Sequence, residues 1–84
     1  MLTIVLIDDD PISTFVTEKL ISKNVKEPCQ FYKYQSAKRA LEEIQLIKPH
    51  YLFLDLNMPE MNGWDFLDKF NPSHEEAQIY ILSS

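Results

Sequence analysis

Positive charge is scarce in this chain of 84 residues, where eight Lys and Arg stand against thirteen Asp and Glu for a formal charge of −5. A protein that grips a phosphate backbone needs a basic patch to displace counterions, so the balance argues against a nucleic-acid partner. An acidic chain calls instead for cations or basic partners. Cysteine is nearly absent. The single Cys29 rules out an internal disulfide, and its setting in the apolar, aromatic run CQFYKY reads as a small buried side chain rather than a reactive thiol. A reducing compartment fits. No charged leader with a long apolar region is present, and no apolar run approaches the length that crosses a bilayer. A soluble, cytoplasmic protein without a membrane partner is therefore expected. Repeats, low-complexity tracts and linkers are missing as well, and the length bounds the chain at one small domain with a modest core.

What the chain does have is short apolar runs that end in acid. Tyr51 to Leu54 reads as a strand buried on both faces and stops on Asp55, and Ile4 to Ile7 runs into Asp8, Asp9 and Asp10. After Asp55, the residues Asn57, Pro59, Asn62 and Gly63 supply turn chemistry. Taken in order, Leu2 to Ile7 is a first strand, and Asp10 before Pro11 is a helix start, with Asp as N-cap and Pro at the first helical position. A first helix is expected over Pro11 to Lys23, closed by Asn24. Its apolar residues Ile12, Phe15, Val16, Leu20 and Ile21 recur at helical spacing and are expected to face a sheet. Cys29 to Tyr34 is a second strand. Ser36 is the N-cap of a second helix with Ala37, Ala40, Leu41, Ile44 and Ile47 on one face, stopped by Pro49. Tyr51 to Asp55 is the third strand. Trp64, Leu67 and Phe70 mark a short third helix, Ser73 to Ala77 a polar loop, and Gln78 to Leu82 a fourth strand. This alternation argues for an α/β fold with a parallel sheet covered by helices.

In such sheets ligands bind outside the carboxyl ends of the strands, where the strand order reverses. With order 2-1-3-4, Asp8 and Asp9 fall beside Asp55. Carboxylates sharing one crevice repel each other, so the site is expected to hold extra protons or to recruit a cation. Mg²⁺ suits it, since that ion takes oxygen ligands and usually a phosphate oxygen. A carboxylate in this place can itself accept a phosphoryl group, and Ser83 is placed to donate its hydroxyl to it.

These segments, LIDDDP, LDLNMPEMNGW and ILSS, resemble the receiver domain of two-component response regulators, a flavodoxin-like doubly wound fold. The resemblance implies that Asp55 is the phosphoacceptor, that Asp9 binds Mg²⁺ directly, and that Asp8 holds metal-bound water. It further implies that the backbone carbonyl of Asn57 completes the metal shell, that Ser83 engages the phosphoryl group, and that Ser84 is the small residue after it. The implied function is a phosphorelay module that takes a phosphoryl group from a phosphohistidine on a sensor histidine kinase or histidine phosphotransfer protein. Its chemistry stops at transfer onto its own Asp55 and loss of the group; it is not a turnover enzyme. The resemblance covers residues 1–84 as a partial receiver domain, because the family continues through a further helix, strand and helix, with a lysine ending the fifth strand. The fourth strand is then an open apolar edge, which invites dimerisation, and part of the first helix's sheet face lacks a neighbour.

Two other functions compete. Asp8 and Asp10 have the D-x-D spacing of a haloacid-dehalogenase-type phosphohydrolase with Asp8 as nucleophile, although Pro11 departs from that family's turn. A pseudo-receiver that binds a partner without phosphorylation is the third reading. His50 and His74 are isolated, without metal-ligand spacing. Lys38, Arg39 and Lys48 read as a solvated helix face.

Overall fold

The structure is a computed structural model that describes residues 1–55, 65 and 78–82. The elements in order are β1 (Leu2–Ile7), α1 (Pro11–Asn24), β2 (Cys29–Tyr34), α2 (Ala37–Ile47), β3 (Tyr51–Asp55) and β4 (Gln78–Leu82). The third helix and the polar loop expected between β3 and β4 lie outside the described residues. All pairings are parallel and the sheet order is β2-β1-β3-β4, the order expected from the sequence. β1 is central. Its Ile4, Val5, Leu6 and Ile7 are all buried, as a strand covered on both faces must be.

The two helices start as their caps dictate. The Asp10 carboxylate accepts the Ile12 N–H at 3.0 Å with Pro11 following, and Ser36 Oγ accepts the Arg39 N–H at 3.3 Å. Asn24 remains helical, its side chain donating to Leu20 O at 2.7 Å, and Val25 is the C-cap. α2 ends on Lys48, which takes the left-handed conformation at φ 52° and ψ 68° ahead of Pro49. A non-glycine residue there carries strain, and Lys48 is a cap rather than one more residue of a solvated helix face.

The core lies between the sheet and α2. Ala37, Ala40 and Ile44 pack with Val5, Ile7, Leu52 and Leu54, and Tyr32, Tyr34, Leu41, Ile47 and Ile79 border them. The α2 apolar face therefore sits where its periodicity directs it.

α1 does the reverse. Ile12, Phe15, Val16 and Leu20, expected to face the sheet, are 71%, 55%, 50% and 57% exposed. The less exposed face of the helix is instead Ser13, Thr14, Thr17, Glu18 and Ile21, with Thr14 buried. The inward residues of α1 are thus mostly short or polar, while on the sheet Ile4 and Leu6 are buried. Thr14 tolerates burial because its hydroxyl donates to Pro11 O at 3.0 Å. Lys33 on β2 fixes the helix from the side through an ion pair with Glu18 at 2.7 Å. The same sheet face continues into stacked aromatics, Phe53 over Tyr80 at 5.1 Å, beside an apolar groove of about 330 Å³.

Cys29 is half-buried rather than buried, its thiol 3.4 Å from Glu27 O, because the start of β2 lies at the sheet's edge. No helix among the described residues is long and apolar enough to cross a membrane.

Candidate functional site

β1 and β3 run in register from Ile4 with Tyr51 to Ile7 with Leu54, so the next residue of each strand is an acid, Asp8 and Asp55. Adjacency of two segments remote in sequence follows from the crossover through α1, β2 and α2. Asp8, Asp9 and Asp55 each present a carboxylate oxygen such that the three lie within 4.8 Å of one another. Asp8 and Asp55 are 6% and 7% exposed, and Asp9 is exposed at the rim.

Backbone groups from two elements position Asp8. Its N–H donates to Tyr34 O at 3.0 Å, extending the β1–β2 ladder by one residue. One of its carboxylate oxygens accepts the Asp10 N–H at 2.9 Å, which ties it to the entry of α1. Asp10 stands apart from the cluster, with its own carboxylate committed to capping α1. The D-x-D pair is thus split between two jobs. The part played by the Tyr34 carbonyl leaves no trace in sequence, because any residue type supplies a carbonyl.

Next to this corner, the Tyr34 hydroxyl donates to Glu43 Oε1 at 2.6 Å. Burial first, and then the hydrogen bond and charge of Glu43, push the phenol up to about 12. This bond pins the end of β2 to α2.

Three carboxylate oxygens around one point form a repulsive arrangement that a cation relieves. The donor set is all oxygen and carboxylate-rich, and it converges at the rim of a parallel sheet, which fits Mg²⁺ rather than a metal preferring sulfur or imidazole. The α1 N-terminus directly after the acids adds the positive end of a helix dipole. Asn57, Ser83 and Ser84 lie outside the described residues. Leu82, which precedes Ser83, stands opposite Asp55 in the β3–β4 register.

The family model TP_0454_N, described as an N-terminal domain, matches residues 2–83. The nitrate/nitrite response regulator protein NarL of Escherichia coli (strain K12) is 32% identical over 81 residues, covering 96% of this chain and 37% of NarL. A protein-glutamate methylesterase/protein-glutamine glutaminase of Bacillus subtilis (strain 168) is 38% identical over 86 residues, covering 99% of this chain and 23% of that protein. The chain thus spans about a third or less of these curated relatives. Among solved structures, a two-component response regulator from Cytophaga hutchinsonii superimposes with a TM-score of 0.87 at 26% identity, covering 98% of this chain and 68% of that one. By its matched sequence, its 2-1-3-4 parallel sheet and its structural neighbours, this chain belongs to the receiver-domain family of two-component response regulators.

Proposed function

We propose that this chain is a phosphorelay signalling module that accepts a phosphoryl group on Asp55 from a phosphohistidine of a sensor histidine kinase or histidine phosphotransfer protein. The observation that carries the reading is the convergence of Asp8, Asp9 and Asp55 within 4.8 Å at the carboxyl ends of two neighbouring parallel strands. In the reaction, an ionised Asp55 oxygen attacks phosphorus as the phosphorus–nitrogen bond of the donor breaks. The imidazole leaves with the bonding pair and takes a proton from solvent, and hydrolysis of the acyl phosphate later resets the site.

Asp8, Asp9 and Asp55, with the backbone carbonyl of Asn57, would hold Mg²⁺. When bound, the ion supplies positive charge against the acids and the phosphoryl oxygens. Asp8 and Asp9 keep the pocket anionic enough to recruit the cation, and burial of Asp55 limits the water that competes for its oxygen. Ser83 follows Leu82, the register partner of Asp55, and donates its hydroxyl to a phosphoryl oxygen.

The donor's docking surface is the exposed apolar stripe of α1, which begins at Ile12, two residues after Asp10. Among the described residues β4 is the outer strand of the sheet and a second contact surface, along which a copy of the chain pairs: Gln78 to Leu82 carry no charge, and Tyr80 and Ile81 are exposed. Concentration-dependent sedimentation reads that pairing, and Ile81→Lys removes it; a monomer at all concentrations in the parent chain sinks it. We place the module in the cytoplasm, where a free Cys29 fits the reducing conditions.

Incubation with acetyl phosphate and Mg²⁺, followed by intact mass, tests the central claim. One phosphoryl group is gained by the parent chain and by Asp10→Asn, and none by Asp55→Asn or by the parent chain under chelation. Label on Asp8 would make the chain a phosphohydrolase of the haloacid-dehalogenase type, and no label at all would make it a pseudo-receiver.

A further inference from the structure

At the starts of β1 and β3, opposite the acids, the ladder is closed by a side chain. The His50 N–H donates to Thr3 O at 2.8 Å, and His50 Nδ1 accepts the Thr3 N–H at 2.9 Å. The β1–β3 register begins at Ile4 with Tyr51, and carried one residue further it would give that N–H the carbonyl of Pro49. The ladder does not reach that far, and the imidazole stands in for the backbone acceptor. His50 O in turn accepts the Gln78 N–H at 3.0 Å, making this residue a junction of β1, β3 and β4.

An imidazole accepts at Nδ1 only when neutral, with its proton on Nε2; the protonated ring is a donor at both nitrogens. We propose that His50 is a proton-operated latch between β1 and β3, closed by the neutral ring and released when the ring is protonated. Among the described residues, the charged groups at this end of the sheet include the Met1 α-amino group, two residues before Thr3, the Lys48 ammonium, two residues before His50, and Lys23 and Lys26 at the end of α1 and the entry to β2. Glu27 enters ahead of β2, on the far side of β1 from β3, and Gln78 on β4 is uncharged. Opening begins at the starts of the two strands whose far ends carry the acid cluster.

Nitrogen NMR and amide hydrogen exchange on the full chain test the latch. The imidazole nitrogen shifts show the neutral proton on Nε2. Protection of the Thr3 amide, corrected for intrinsic exchange, falls roughly fivefold when the ring passes from neutral to protonated, the loss of one modest hydrogen bond. The fall follows the His50 ring titration, is absent in His50→Gln and persists in His74→Gln. A neutral proton on Nδ1, Thr3 protection unchanged through the ring titration, or a response that follows His74 would each overturn it. The tautomer is read in the parent chain alone, so the decision stands even if a variant folds poorly.

Discussion

The two described helices bury opposite kinds of surface against the same sheet. α2 presses Ala37, Ala40 and Ile44 onto Val5, Ile7, Leu52 and Leu54, whereas α1 turns Thr14 and its hydroxyl neighbours inward and leaves Ile12, Phe15, Val16 and Leu20 in solvent. Apolar periodicity says that a helix has an oily stripe; it does not say that the stripe meets the sheet. On the α2 side the stripe holds the fold together. On the α1 side the inward face is Thr14 with its half-buried neighbours, and the stripe is left exposed.

Substitutions on each side break this contrast if it is wrong. The largest effect is expected from Ile44→Ala, which empties a position 1% exposed in the middle of the core and costs about 2–5 kcal/mol in urea unfolding. Thr14→Leu comes next: a bulkier side chain under α1 holds the helix off the sheet and costs about 1–3 kcal/mol, although the change adds apolar surface. Stabilisation by that substitution would show that α1 is not packed through its small residues. The smallest stability effect belongs to the double change Phe15→Ser with Val16→Ser, within about 0.5 kcal/mol per site because both residues are at least half exposed. The same double variant slows phosphoryl transfer from a phosphohistidine donor while leaving labelling by acetyl phosphate intact; equal slowing of both would remove α1 as the docking surface.

The strands and their bounds were legible because β-branched and aromatic runs here are short and bounded by Asp, Pro or Ser at one end or the other. The helix starts were legible because Asp10–Pro11 and Ser36 each carry a capping mechanism. Adjacency of Asp8 and Asp55 was legible only through topology, since a parallel pairing of β1 with β3 places their ends together. The orientation of α1 was not, because Thr14 and Thr17 look like solvent-facing residues until their hydroxyls and the bulk of the opposing sheet are considered together. Nor was the left-handed Lys48: a glycine would have announced that turn, and a lysine does not. The role of His50 was hidden as well, because a ladder that stops one residue short shows only in the structure.

The central place of β1 has a consequence for how the molecule is made. Of the described strands, the one synthesised first is the one that needs neighbours on both edges, and each neighbour arrives only after an intervening helix has been synthesised. Every ladder in this sheet closes a long loop, so local contacts contribute little early and assembly waits on distant ones. Until Asp55 has emerged, the nascent chain carries a largely apolar β1 with at most one of its two edges paired, an interval in which it is exposed to aggregation.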